Sequence, residues 1–396
     1  MTELATPFDA DPAQAHEVLG ALREAGPIHR ITLPNGVAAW LVTRYEESRA
    51  VLADPRLFSG ISTDYIDSGS LAPDVRSAVY SHMMHSDPVE HARLRKLVAK
   101  VFTTRRVENL RPRAEAIIDD LLDGVTDRTG FDLVTEVAEP LPMQVICELL
   151  GIPLEDREPF PKWTTAFVAA SLLPEYPVED ITAFVTYFRR LVAHKRSHPD
   201  NALLSGLIAA RDDDDRLTED ELISTAVILL GAGWRGTANL ISTGMCTLLD
   251  RPQVADRLRA DPEALPAAVE ELLRYDGPAL AAMPRYVTEP VEIGGCRLAA
   301  GELVVVSFLA ANRDENVVPE PESFCPTRPT GPHLAFGHGI HHCLGAPLAR
   351  LVAQIAIGAL LRRFPTLRLA VPPDELIWKL DVFSRGLKAL PVTAME

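Results

Sequence analysis

The chain has 396 residues, of which 47% are hydrophobic and 24% charged, the balance of an ordinary globular protein with material for a sizeable core. Its net charge of −16 argues against general affinity for nucleic acid or anionic membranes. The first residues show no basic stretch followed by an apolar core, so no secretory leader is expected, and no apolar run reaches the ~18 residues of a membrane span; five scattered cysteines (Cys147, Cys246, Cys296, Cys325, Cys343) form neither a disulfide frame nor a CxxC zinc pair, so a cytoplasmic protein with reduced thiols is expected.

In chain order, ITLPNGVAAWLVTRY (31–45) reads as a hairpin around Asn35-Gly36. Apolar residues at three- and four-residue spacing predict helices over 90–102, 107–125 and 266–277. After the acidic turn at 210–221, Thr218 with Glu221 three residues on forms a capping box. The helix it opens is expected to run to Asp250, just before Arg251-Pro252: 33 residues, or roughly 50 Å. YVTEPVEIGGCRLAAGELVVVSF (286–308) alternates like a small sheet. Residues 311–335 form a proline- and charge-rich loop too long for a plain turn, of the kind that positions something. The expected fold is mainly α with small β-sheets.

Chemistry concentrates in FGHGIHHCLGAPLARL (336–351). Cys343 sits just before a helix start marked by Pro347. Unpaired N–H groups at a helix N-terminus favour the thiolate, and Gly337, Gly339 and Gly345 let the backbone pass close to the sulfur. Such a thiolate is a soft, electron-donating ligand suited to haem iron. A lone cysteine in a glycine-rich turn is more often structural. Here the string Phe336-Gly337-x-Gly339-x-His341-x-Cys343-Leu344-Gly345 resembles, at every fixed position, the cysteine-ligand loop of the cytochrome P450 family. Glu271-Leu272-Leu273-Arg274 resembles that family's ExxR helix, with Arg328 as the loop partner, and the resemblance covers nearly the whole chain.

The resemblance implies one P450 domain over residues 1–396, with haem b between the long helix and the cysteine loop and Cys343 as the metal ligand. It implies that His91, Arg95, Arg285 and His341 reach the haem propionates. Met84 (with Met83), Ala232, Gly233, Leu280 to Met283, Val382 and Phe383 are expected around the substrate, with the loop Gly60 to Met84 covering the haem and Trp234 adding bulk near the site or packing outward. It implies a monooxygenase of the soluble bacterial type, acting on a small secondary metabolite with electrons from a ferredoxin and its reductase. The partner would dock on the basic strip of Arg93, Arg95, Lys96, Lys100, Arg105 and Arg106, whose bland alternative is a solvated helix face.

One stretch departs from the family. Where members usually carry Ala/Gly-Gly-x-Asp/Glu-Thr-Thr, this chain has Ala232-Gly233-Trp234-Arg235-Gly236-Thr237. Arg235 takes the place of the acid and Gly236 that of the threonine. Thr237 lies one residue on, turned about 100° around the helix. Arginine stays charged and glycine has no hydroxyl, so the usual proton relay is absent. Three readings stay open. A substrate hydroxyl or water completes the relay; Arg235 pairs with a substrate anion, as in some peroxide-using members; or the chemistry is a coupling, cyclisation or rearrangement, redox or not. Alternatively Arg235 points away, to another part of the protein. A haem protein that binds a ligand without turnover is the remaining class.

Overall fold

The computed structural model describes residues 6–8, 10–58, 70–170, 175–211, 216–329, 331–381 and 383–394. It is mainly helical with small sheets, as expected. Residues 212–215 of the acidic turn, Val382, and residues 60–69 of the expected haem-covering loop lie outside the described residues. The chain divides into two compact units, one of residues 1–58, 114–141 and 236–396, the other of residues 59–113 and 142–235.

The first unit carries the sheets. Strands Ile28–Thr32 and Ala38–Val42 pair antiparallel around the expected turn. Gly36 takes φ +81° and Asn35 Oδ1 accepts from the Val37 amide. Ala38–Val42 runs parallel to Leu303–Val306, which pairs antiparallel with Arg285–Val287; Leu57–Phe58 closes the edge. Val291–Ile293 and Cys296–Leu298 pair antiparallel within the stretch expected to form a small sheet. One face of the five-stranded sheet packs Leu41, Leu303 and Val305 with Leu19 and Leu309; the other packs Val42, Val304 and Val306 with Val51 and Phe308. Helices Leu265–Asp276 and Ala346–Arg363 are long, well-buried rods in the same unit.

The second unit is helical. Pro88–Val101 starts on an Asp87 cap that accepts from the amides of Val89 and Glu90, and it buries His91, Leu94, Leu97 and Val98. The Thr218–Glu221 capping box forms as read. Two helix expectations are corrected. The span 107–125 splits into Thr104–Glu108 and Arg111–Asp123, because Pro112 supplies a fresh first turn. The 33-residue helix is two helices, Glu219–Gly233 and Arg235–Leu249. Trp234 sits between them at φ −118°, ψ −38°, and its indole donates to Thr164 Oγ1 at 3.2 Å, off the helix axis. No helix among the described residues is long and apolar enough to cross a membrane.

Candidate active site

Cys343 is held by its backbone. Its amide donates to Phe336 O at 2.8 Å, Gly337 N donates to Leu334 O at 2.8 Å, and His342 N to Gly339 O at 3.1 Å. These turns require φ of +72° at Gly337 and +73° at Gly339, a region costly for any residue with a Cβ. At Gly339 a Cβ would also lie 2.6 Å from Leu52 O, so glycine is needed twice over. The helix Ala346–Arg363 then begins with Gly345 as its cap and Pro347 in its first turn. Cys343 is exposed at the head of this otherwise buried helix. Cys147 and Cys246 differ: burial pushes each thiol up to about 12, which makes them inert.

The loop before the cysteine is tied to the helix Leu265–Asp276. Glu271 accepts from Arg274 Nε at 2.7 Å and Nη2 at 2.8 Å, from Arg328 Nε at 3.2 Å and from the Cys325 amide at 2.9 Å. Arg274 in turn donates to the carbonyls of Asn312, Pro321 and Ser323. Burial alone would raise the Glu271 carboxyl, but these donors hold it below its ordinary range. The irregular 311–335 loop is therefore fixed by backbone carbonyls aimed at one arginine. Two further acids on the same helix went unread in the sequence. Glu270 accepts from Arg350 Nε at 2.6 Å and lies 3.0 Å from His333 Nε2. Burial opposes its ionisation, yet these partners hold it at about 2. Asp276 is buried, 2.6 Å from Arg385 Nη1 and 2.8 Å from His16 Nε2. Their partners are far away in sequence, so no local spacing announces them.

Arg285 lies on the strand Arg285–Val287, only 4% exposed. It donates to Leu57 O at 3.2 Å, and no carboxylate among the described residues pairs with it. Burial without an anion pushes it down to about 10. A guanidinium so placed suits an anionic group from a cofactor. His341 ends the turn Gly339–His341, half-buried. In the other unit, His91 and Arg95 share a face of Pro88–Val101. Burial, then the Arg95 charge, lowers the His91 pKa.

The departing stretch is resolved residue by residue. Arg235 donates to Thr165 Oγ1 on the helix Phe160–Ala170, and its guanidinium lies over the Trp234 ring, 5.0 Å from the centroid. Of the three glycines, two serve packing. A Cβ at 231 would meet Phe167 Cδ1 at 2.5 Å, and one at 233 would meet Ile146 at 3.2 Å. At Gly236 a Cβ would meet nothing within 4 Å. Of the three, only Gly236 has open space where a Cβ would stand. Ala232 is exposed and Thr237 buried.

Other expected wall residues are placed unevenly. Leu280 is fully buried with Leu303 and Leu309, and its amide and carbonyl are taken by Phe383 O and Phe308 N. It belongs to the core; Ala282 and Met283, half-buried, are the open residues of that segment. Phe383 is half-buried against the same cluster. Met84 is half-buried beside His82 Nδ1. Arg93 leaves the basic strip, since it pairs with Glu90 and with the capping-box Glu221.

Two histidines preceding Pro88–Val101 were not singled out in the sequence. His82 and His85 have ring centroids 4.5 Å apart, and His82 lies edge-on to Phe167. Burial pushes His85 down to about 4, and burial with the neighbouring His85 charge pushes His82 well below 6.5. The unfolded chain takes up protons near pH 6.5 while the fold refuses them, so their stability contribution is full above about 6.5 and falls as pH drops towards 4. For His85 alone this loss reaches about 3 kcal/mol. Thermal melts of His85→Phe between pH 7 and 4.5 are expected to show a shallower acid slope than the parent; equal slopes refute the assignment.

A family model for "Cytochrome P450" matches residues 176–387. Cytochrome P450 107B1 of Saccharopolyspora erythraea is 46% identical over 97% of this chain and 96% of its own length. The chain belongs to the cytochrome P450 family. Cytochrome P450 monooxygenase PikC of Streptomyces venezuelae is also 46% identical, over 97% of this chain and 91% of its own. Among solved structures, the Bacillus subtilis 168 bacillaene polyketide synthase P450 PksS superposes with a TM-score of 0.90 at 37% identity, covering 99% of this chain and 100% of its own. P450 proteins hold haem through a cysteine thiolate, and the exposed Cys343 and uncompensated Arg285 fit such a group by charge and donor chemistry.

Proposed function

We propose that this P450 is a secondary-metabolite monooxygenase working as a single domain over residues 1–396, with haem b held by the Cys343 thiolate. Relatives support the reading by name: 6-deoxyerythronolide B hydroxylase and mycinamicin IV hydroxylase/epoxidase are each 42% identical to it. The observation that carries it is the exposed thiol at the head of a buried helix, set by two left-handed glycines. Arg285, with His341, His91 and Arg95, would neutralise the propionates. When bound, the haem supplies oxygen activation and transfer to the substrate. The chain's own residues would bind and orient the substrate. Ala232, Gly233, Gly236, Ala282, Met283, Met84 and Phe383 would border the substrate.

Arg235 does not act as the proton donor in this reading. Its guanidinium fastens the helix Phe160–Ala170 through Thr165, and a guanidinium is no ordinary proton relay. Protons would come from ordered water or a substrate hydroxyl in the space beside Gly236, with Thr237 buried behind. Electrons would come from a ferredoxin and its reductase in the cytoplasm, through Arg95, Lys96, Lys100, Arg105 and Arg106.

A second reading, non-standard chemistry on the same haem, is favoured by the loss of both relay groups. A P450 described for C–S bond formation in chuangxinmycin biosynthesis is 36% identical with a TM-score of 0.88. The two readings part when a candidate substrate is supplied with NADPH, ferredoxin and reductase, with peroxide alone, or with neither. Oxygenated product in the first arm only is expected. Before that, the reduced protein under carbon monoxide is expected to show the red-shifted thiolate band, and Cys343→Ser to lose it. Persistence of the band in Cys343→Ser would remove the ligand assignment.

A further inference from the structure

A cavity of about 640 Å³ opens in the helical unit, lined by residues of three segments: Thr103 to Leu110, Glu148 to Gly151, and Asp200 to Ala202. Its volume falls in the range of small-molecule sites, which is about 300–1,000 Å³. None of its lining residues belongs to the cysteine loop or the long helix.

The charges around it are unbalanced. Both lining carboxylates are already committed. Glu148 accepts from Arg157 Nη2 at 2.9 Å and Arg113 Nη2 at 3.2 Å. Asp200 accepts from Lys195 Nζ at 2.6 Å, Ser205 Oγ at 2.6 Å and the Ala202 amide at 3.0 Å. Neither Arg105 nor Arg106, the two lining arginines, forms an ion pair among the described residues. Arg106 is half-buried, and its Nη1 is buried near Gly206 with no hydrogen-bond partner among the described residues. The wall thus presents two guanidinium groups that pair with no carboxylate among the described residues, beside carboxylates already bonded to other cations, in a chain whose net charge is −16. Gly151 keeps the cavity's opposite wall tight: at φ +72° its Cβ position lies 2.6 Å from Lys195 Nζ and 2.5 Å from Ala202 Cβ.

We propose that this cavity is a binding site for a small molecule carrying a phosphate group, held by Arg105 and Arg106. Guanidinium forks match phosphate oxygens in pairs, and the space beyond them admits the rest of a phosphate monoester. A protein partner presenting acidic side chains is the competing occupant. The concave shape and the half-buried Arg106 favour the small ligand.

The test is isothermal titration of the holoprotein with inorganic phosphate and with glucose 6-phosphate, at ionic strength fixed with sodium chloride. Saturable binding of at least one probe is expected, weakened tenfold or more in Arg105→Met/Arg106→Met. Arg111→Met serves as the control, because Arg111 is exposed, pairs with Glu108 and lies outside the cavity. Tighter binding of glucose 6-phosphate assigns the site to phosphate esters, and equal binding to free phosphate. Absent saturation, or binding unchanged in the double variant, overturns the proposal. So does a double variant that is altered only in ferredoxin-supported reduction, which would make the surface a protein dock. Circular dichroism spectra matching the parent confirm that the variants fold, and carbon monoxide spectra report separately on the haem reading.

Discussion

Glu271→Gln is expected to lower stability by about 3–5 kcal/mol, the loss seen when one partner of a buried ion pair is removed. The carboxylate accepts four hydrogen bonds, three from guanidinium groups and one from the Cys325 amide. Its side chain is 5% exposed and that of Arg274 3%. Glutamine keeps the shape but turns an NH2 donor towards arginine donors, so Arg274 remains buried with its charge unanswered. The loss propagates: Arg274 also holds the carbonyls of Asn312, Pro321 and Ser323, which shape the chain ahead of Cys343. Glu270→Gln is the comparison. Its partner Arg350 has a side chain 32% exposed, so water takes over part of the lost interaction and a smaller loss is expected. Denaturant midpoints followed by circular dichroism rank the two, and a Glu271 loss no larger than the Glu270 loss contradicts the hub assignment.

What the sequence reveals here follows the range of each interaction. The Thr218–Glu221 box, the Asn35-Gly36 turn and the Glu271–Arg274 pair are local, so residue types at fixed spacing are enough to find them. The cysteine loop is legible because its turns demand glycine at Gly337 and Gly339 for backbone reasons. The Glu270 and Asp276 hubs are not legible, because their partners come from helices and termini far along the chain. The same distance hides the Arg93–Glu221 pair, which removes a cation from the strip read off one helix face. The break at Trp234 is hidden for another reason. Periodicity reports which face is apolar, and both halves keep an apolar face, while the break depends on an indole reaching Thr164.

Gly231 and Gly236 of GAGWRG are expected to respond in opposite ways, and this separates packing from chemistry. Gly231→Ala gains helix propensity worth about 1 kcal/mol. It also drives a methyl to 2.5 Å from the Phe167 ring, which is boxed in by His82 and Phe184. Overpacking of that kind costs about 1–3 kcal/mol, so a net loss of stability is expected. At Gly236 a Cβ meets nothing within 4 Å, so Gly236→Thr is expected to leave the melting temperature unchanged or slightly raised. Its effect is on turnover. It places a hydroxyl at the position where the family's usual pattern has threonine, and a positioned proton donor is worth about 10²–10⁴-fold. If water beside Gly236 already delivers protons, the new side chain displaces it, and product per electron consumed falls by tenfold or more. If the chain's chemistry works without that relay, Gly236→Thr should instead raise simple oxygenation at the expense of the native product. Arg235→Ala complements it: losing the Thr165 contact loosens the helix Phe160–Ala170 while removing no proton donor. Substrate affinity is therefore expected to weaken with little change in product per electron. A Gly236→Thr enzyme with parental coupling and product would show that proton delivery does not pass beside residue 236.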